Sequence, residues 1–201
     1  MGTTGMTAGK LAAAVAPLLP RLELDAAGVT CLHGAADAAQ GVLRLEHARR
    51  FPDAIRLAAH ALPKREAVWW ACMAARAVPA RYPVDADANA LEAAEAWVRQ
   101  QDEPGRYRCM ELAMRSGCRG PEAWAAVAAF WSGGSIAPAG AQAVKPAAQL
   151  TGAAVTSALT LAAVRDDPAQ AASRYSRFLA ALRDIAAGGA GRIPVEDLIW
   201  N

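Results

Sequence analysis

Most of the signatures that announce a reaction are missing from this chain. Its four cysteines stand at 31, 72, 109 and 118, and its three histidines at 33, 47 and 60. No two cysteines have the CxxC spacing, and the histidines complete no Cys/His ligand set, which reads against a zinc site or a redox motif. Cys72 and Cys109 fall inside apolar helical patterns, where a free thiol behaves as a small hydrophobe. Lysine is scarce, with three residues against eighteen arginines. The net charge of +2 is spread along the chain. Without a basic block there is no electrostatic footprint for nucleic acid and no polybasic membrane anchor. No apolar run reaches the roughly 20 residues of a membrane span. LAAAVAPLL after Lys10 has the length of a signal-peptide core, but Pro17 and Pro20 interrupt it and a single lysine precedes it. The reading is a cytoplasmic protein with reduced thiols.

What the chain has is alanine, about a quarter of all residues and far above ordinary usage. Alanine is the best helix former, and β-branched and aromatic residues are sparse. A length of 201 residues suits one domain with a real core. The expected fold is therefore all-α: a single domain of six to eight helices packed as antiparallel hairpins. Residues 1–20 read as a flexible lead, 21–187 as the helical domain and 188–201 as a Gly-hinged tail.

The stretch PKREAVWWACMAA, residues 63–75, is the expected centre. Trp69 and Trp70 lie about 100° apart on a helix, so with Cys72, Met73 and several alanines they make it apolar nearly all round. Such a helix is buried on several sides. Leu22 and Leu24 fit either a short strand or a ragged helix, and the pattern from Asp37 to Arg50 is helical but weakened by Gly41. Helices are expected over 53–62, 88–100 (capped by Asp85 or Asp87), 106–116, 121–131, 147–164 and from Asp167-Pro168 to about 187. The last of these turns Arg174, Arg177 and Arg183 outward. Trp69, Trp70, Trp97, Trp124 and Trp131 form the expected core. Residues 133–146 are a loop of Gly, Pro, Ala and Ser.

Candidate chemistry is thin. His60, Arg65 and Glu66 stand near the tryptophans and would suit a general acid–base pair only if they converged on one pocket. Helix starts carry Glu routinely, so caps and snorkelling charges are the plainer reading. Ser132-Gly-Gly-Ser135 follows a helix instead of preceding one, which makes it a C-cap and turn and not a phosphate cradle. Arg44, Arg49, Arg50 and Arg56 are interleaved with Glu46 and Asp53 and have only Phe51 as a stacking neighbour, a poor nucleic-acid edge. No catalytic, cofactor-binding or metal-binding residue is expected. The tail ends on Leu198, Ile199 and Trp200 after a glycine hinge, an apolar cluster that either folds back on its own bundle or enters a partner's pocket.

Three runs, LAAHALPKREAVWWACMAAR, LEAAEAWV and PEAWAAVAAFWSGGSIAP, occur in that order. Together they resemble a family of uncharacterised bacterial all-helical proteins with REAVWWAC and AAFWSGGSxAP blocks, over residues 55–187. The resemblance implies genes often found beside type VI or similar secretion genes. From that follows a non-enzymatic adaptor, chaperone-like or accessory role, with a secretion component or effector as the protein partner. This chain departs after SIAP, where AGAQAVKPAAQ replaces a denser proline run. The residues expected to touch a partner are Ile136, Pro138, Leu198, Ile199 and Trp200. Nucleic acid and membrane are not expected partners, and a homo-oligomer stays open. The alternative is a small enzyme or ligand-binding protein with its site near His60 and Glu66.

Overall fold

In a computed structural model, which describes residues 9–138 and 140–197, every regular element is helical. A 3-10 turn at Gly9–Leu11 is followed by α1 (Leu19–Leu22), α2 (Ala26–Leu32), α3 (Ala38–His47), α4 (Phe51–Ala61) and α5 (Lys64–Ala77). Then come α6 (Asp85–Gln100), α7 (Glu103–Arg115), α8 (Pro121–Phe130), α9 (Leu150–Val164), a 3-10 turn at Pro168–Gln170, and α10 (Ala171–Ala186). Ten helices among the described residues exceed the expected six to eight. The surplus is α1 and α2, of four and seven residues. Elements that short display too little of a 3.6-residue period to be read from sequence. Asp25 starts α2 by accepting a hydrogen bond from the Gly28 N–H.

The centre of the fold is α5 with α8 and α9. Helix α5 packs on α6, α8, α9 and α10; α8 also touches α6 and α7; α9 also touches α4 and α10. The faces that meet are lined with alanine: Ala67, Ala71 and Ala74 of α5, Ala125, Ala126 and Ala128 of α8, and Ala154, Ala158 and Ala162 of α9 are all fully buried. A methyl group is the only bulk each contributes, so the separation of packed helices falls toward the short end of its range. Gly41 takes this further. It is buried in α3, and a Cβ there would lie 2.7 Å from Leu57 Cδ2, so the glycine that weakens the helix is what admits α4.

Trp70 is fully buried and its indole N–H donates to the Phe178 carbonyl at 2.9 Å, joining α5 to α10. Trp97 is also buried, whereas Trp69, Trp124 and Trp131 are only half-buried against the core. The expected five-tryptophan core thus reduces to two. The rest of the volume is filled by aliphatic residues and by Phe51, Phe130, Tyr175 and Phe178. Asp85 and Asp87 do not cap α6 as expected; Val84 occupies that position without a side-chain bond.

Packing also begins before residue 21. Leu11, Val15 and Leu18 are buried, so the apolar run that looks like a broken signal core fills the domain's own core. Arg174 is not outward either, being only 6% exposed.

Gly152, on α9, lies flat against the His60 ring, where a Cβ would stand 2.5 Å from Nδ1. Gly152→Ala is expected to destabilise the protein by about 1–3 kcal/mol in denaturant unfolding. The cost should shrink when His60→Ala is added in the same chain. An undiminished cost in the double variant would assign the strain elsewhere.

Candidate partner-binding surface

The connection from α8 to α9 leaves helical structure at Trp131 and regains it only at Leu150, yet it is built around one side chain. Arg106, on the second turn of α7, is 2% exposed. It donates to the Phe130 carbonyl at 2.6 Å and to the Ser135 carbonyl at 2.7 Å, and both Glu103 oxygens accept from it at 2.8 Å. Its guanidinium carbon lies 4.7 Å from the Tyr107 ring centre and 4.9 Å from that of Phe130. A planar five-donor group is the side chain able to hold two carbonyls and a carboxylate while stacking on two rings. Donating to the Glu103 carboxylate raises the Arg106 pKa further, so the charge is permanent.

Other bonds close the loop. Tyr107 donates to the Ala137 carbonyl and Lys64 to that of Ser132, while Thr151 donates to Trp131. Ser135 Oγ accepts from the backbone N–H groups of Ala137 and Val144, and Ile136 N–H donates to the Val144 carbonyl at 2.8 Å. The loop is therefore a pinned platform. Of the sequence-chosen residues, Ile136 is half-buried and Pro138 exposed. Val144, 50% exposed, joins them and was not anticipated. No local pattern marks it, because its neighbour Ile136 is set by a turn, not by a helical period.

The tail beyond Ala187 is laid along the body as far as residue 197. Trp69 Nε1–H donates to the Ala190 carbonyl at 2.7 Å, and Gly191 N–H donates to Asp184 at 2.7 Å. Glu196 N–H donates to the Ala77 carbonyl at 2.8 Å. The Glu196 carboxylate accepts from Arg174 and Arg177, and Arg177 also holds the Pro194 carbonyl. Arg174 in addition reaches the carbonyls of Ala163 and Arg165, at 3.0 and 2.7 Å. Leu198, Ile199 and Trp200 lie outside the described residues.

His60 and Glu66 line separate clefts. His60 shares one with Arg21, Glu23, Arg56, Gln149 and Ser157. Glu66 shares another with Lys10, Arg65, Trp69 and Arg99, and accepts from Lys10 at 2.8 Å. Burial by itself would raise the Glu66 pKa, but Lys10 and Arg65 outweigh it and leave the carboxyl below its ordinary value. His60 is shifted down, by burial first and then by Arg21 and Arg56. The acid–base pair imagined from sequence is thus not assembled in one cavity.

The basic residues near 50 are engaged within the chain. Arg44 and Arg56 hold backbone carbonyls, Arg50 pairs with Asp25 and Asp53, and Arg49 sits over the Phe51 ring. All four cysteines are free. Burial pushes the Cys72 thiol well up and that of Cys109 to about 12, so neither is a reactive thiolate. Among the described residues no group of three His, Cys, Asp or Glu side chains could hold a metal ion, and no helix is long and apolar enough to cross a membrane.

These features define a class: an all-helical domain whose longest loop and terminal strap are fixed by buried arginines. Residues 42–186 match the family of unknown function DUF6931, and the chain belongs to that family. No curated protein and no solved structure matches it.

Arg106→Ala is expected to orphan the Phe130 and Ser135 carbonyls, at a cost of about 1–3 kcal/mol for each buried acceptor. Hydrogen exchange of the amides of Ala137 and Val144 should accelerate, while that of α5 stays slow. For His60 the folded pKa lies below the ordinary 6.5, so the unfolded chain binds the proton more readily. Its contribution is intact above that value and is lost as pH falls through it. His60→Gln should flatten the fall in Tm between about pH 7 and pH 5; an unchanged slope would mean that other groups carry it.

Proposed function

We propose that the protein is a non-enzymatic interaction protein, an adaptor, chaperone-like or accessory factor of a bacterial secretion system of the type VI kind, acting in the cytoplasm. The observation that carries this reading is the Arg106 pin. Burying a guanidinium is costly unless its donors are used; here two of its four bonds hold the Phe130 and Ser135 carbonyls on either side of the turn that opens the loop, and the other two hold Glu103. A loop fixed in that way presents Ile136, Pro138 and Val144 in one conformation, which lowers the ordering cost of docking a protein partner. The secretion context rests on the resemblance of the REAVWWAC and AAFWSGGSIAP blocks. Leu198, Ile199 and Trp200, an apolar cluster in the sequence, are a second contact for the same partner. The enzyme alternative draws no support from geometry, since His60 and Glu66 line different clefts.

Affinity capture from the native bacterium tests the proposal with three proteins: the full chain, a chain ending at Asp197, and a chain carrying Ile136→Asp with Val144→Asp. The expected result is a secretion-system component recovered with the full chain and lost with the loop variant. Truncation should weaken recovery further. If the loop variant retains every specific partner, the loop is not the interface and the proposal falls.

A further inference from the structure

We propose that the cleft between α5, α6 and the turn after α10 is a binding site for a small organic carboxylate with an apolar body. This site is distinct from the loop surface and does not depend on the secretion reading. The cavity is about 360 Å³, within the range of small-molecule sites. Its apolar wall is Trp69, Val98 and Ile185, and its charged wall is Lys10, Arg65, Glu66 and Arg99. The backbone of Gly188 to Ala190 forms one edge, held to Trp69 by the indole bond to the Ala190 carbonyl.

The charges do not cancel. Glu66 is the one carboxylate of the lining, and Lys10 neutralises it at 2.8 Å. Arg65 approaches Glu66 only at 3.6 Å, and its Nε donates to the Val98 carbonyl at 2.8 Å. That bond fixes the guanidinium at the mouth, where it is 46% exposed. Among the described residues, no hydrogen bond or ion pair engages the Arg99 side chain. Two guanidinium groups therefore border an apolar wall, Arg65 with Glu66 at 3.6 Å and Arg99 with no ion pair, although Arg99 also edges the neighbouring cleft that Glu92 and Glu95 line.

Ligand chemistry follows from the lining. A cation would meet three positive groups. A bare inorganic anion would leave the faces of Trp69, Val98 and Ile185 unused, and a purely apolar molecule would strand the arginines in partial desolvation. A flat apolar group against Trp69 with a carboxylate between Arg65 and Arg99 meets both walls, and the planar fork of arginine suits a carboxylate best. No covalent step is involved; the site binds.

The test uses indole-3-acetate as the probe and indole-3-acetamide as its neutral isostere, titrated into the full chain and followed by ¹H–¹⁵N NMR. Indole-3-acetate should shift the Trp69 indole N–H and the amides of Arg65, Arg99 and Ala190. The amide should bind at least about tenfold more weakly. Arg99→Gln breaks no bond within the protein, so its Tm should hold while the acetate affinity falls at least about tenfold. The proposal is overturned if indole-3-acetate causes no shift up to about 10 mM. It is equally overturned if acetate and amide bind alike, or if Arg99→Gln leaves the affinity unchanged. Loss of the secretion partner in affinity capture would leave these titrations untouched, so the two proposals fail separately.

Discussion

Close approach of α5, α8 and α9 is the constraint on which the other features rest. The three helices meet through methyl groups, so the centre of the domain buries much backbone and little side-chain bulk. Alanine loses no rotamer entropy on burial, which makes such a seam inexpensive to order. The same economy limits how much hydrophobic energy each contact supplies, since burial scales with apolar area. Larger side chains fill the joints around this seam: Trp70 between α5 and α10, Leu159 on α9, Ile55 and Leu57 on α4, Trp97 on α6, and Phe178 and Leu182 on α10. Each marks a place where a flanking helix turns onto the central three.

A thin apolar seam leaves the helix ends and connections poorly covered, and guanidinium groups secure them. Arg106 ties the end of α8 to the loop that follows it. Arg165 donates to the Val78 carbonyl and to both oxygens of Glu122, linking the ends of α5 and α9 to the start of α8. Arg174 gathers the connection between α9 and α10 and the strap at Glu196. In every case the acceptors include backbone carbonyls outside the arginine's own helix, 24 and 29 residues away for Arg106, 87 for Arg165 and 7 to 11 for Arg174. Lysine has no planar fork and could not replace these contacts one for one, which gives a physical sense to the chain's heavy preference for arginine.

Legibility in the sequence divides along the same line. Helices α4 to α10 are readable because their apolar faces repeat at helical spacing, and most of their ends lie beside Pro, Asp or Gly. Trp70 and Trp97 were readable as core for the same reason. The inward turn of Arg174 was not, since its partners are main-chain carbonyls and a glutamate 22 residues away, which no local pattern encodes. Leu11, Val15 and Leu18 read as part of a lead because a proline-broken apolar run resembles a linker until the surface that it covers is known. Ile136 and Pro138 stand out in the sequence as loop residues suited to touch a partner. Their conformation, set by Arg106 and Ser135, was invisible without the tertiary contacts. Glu66 was noticed, but the arginine opposite it, Arg99, sits 33 residues on, and only the packing of α5 against α6 makes them neighbours.

The scarcity of lysine has a consequence for chemical labelling. Only three side-chain amines exist in the chain. Lys10 stands at the cleft beside Glu66, Lys64 holds the Ser132 carbonyl at the base of the α8–α9 loop, and Lys145 lies exposed within that loop. Apart from the α-amino group, amine-directed dyes, cross-linkers and sensor-chip coupling therefore have only the cleft and the loop as targets. A molecule immobilised through its lysines would present its opposite face to solution, with the surfaces best suited to recognition turned toward the support.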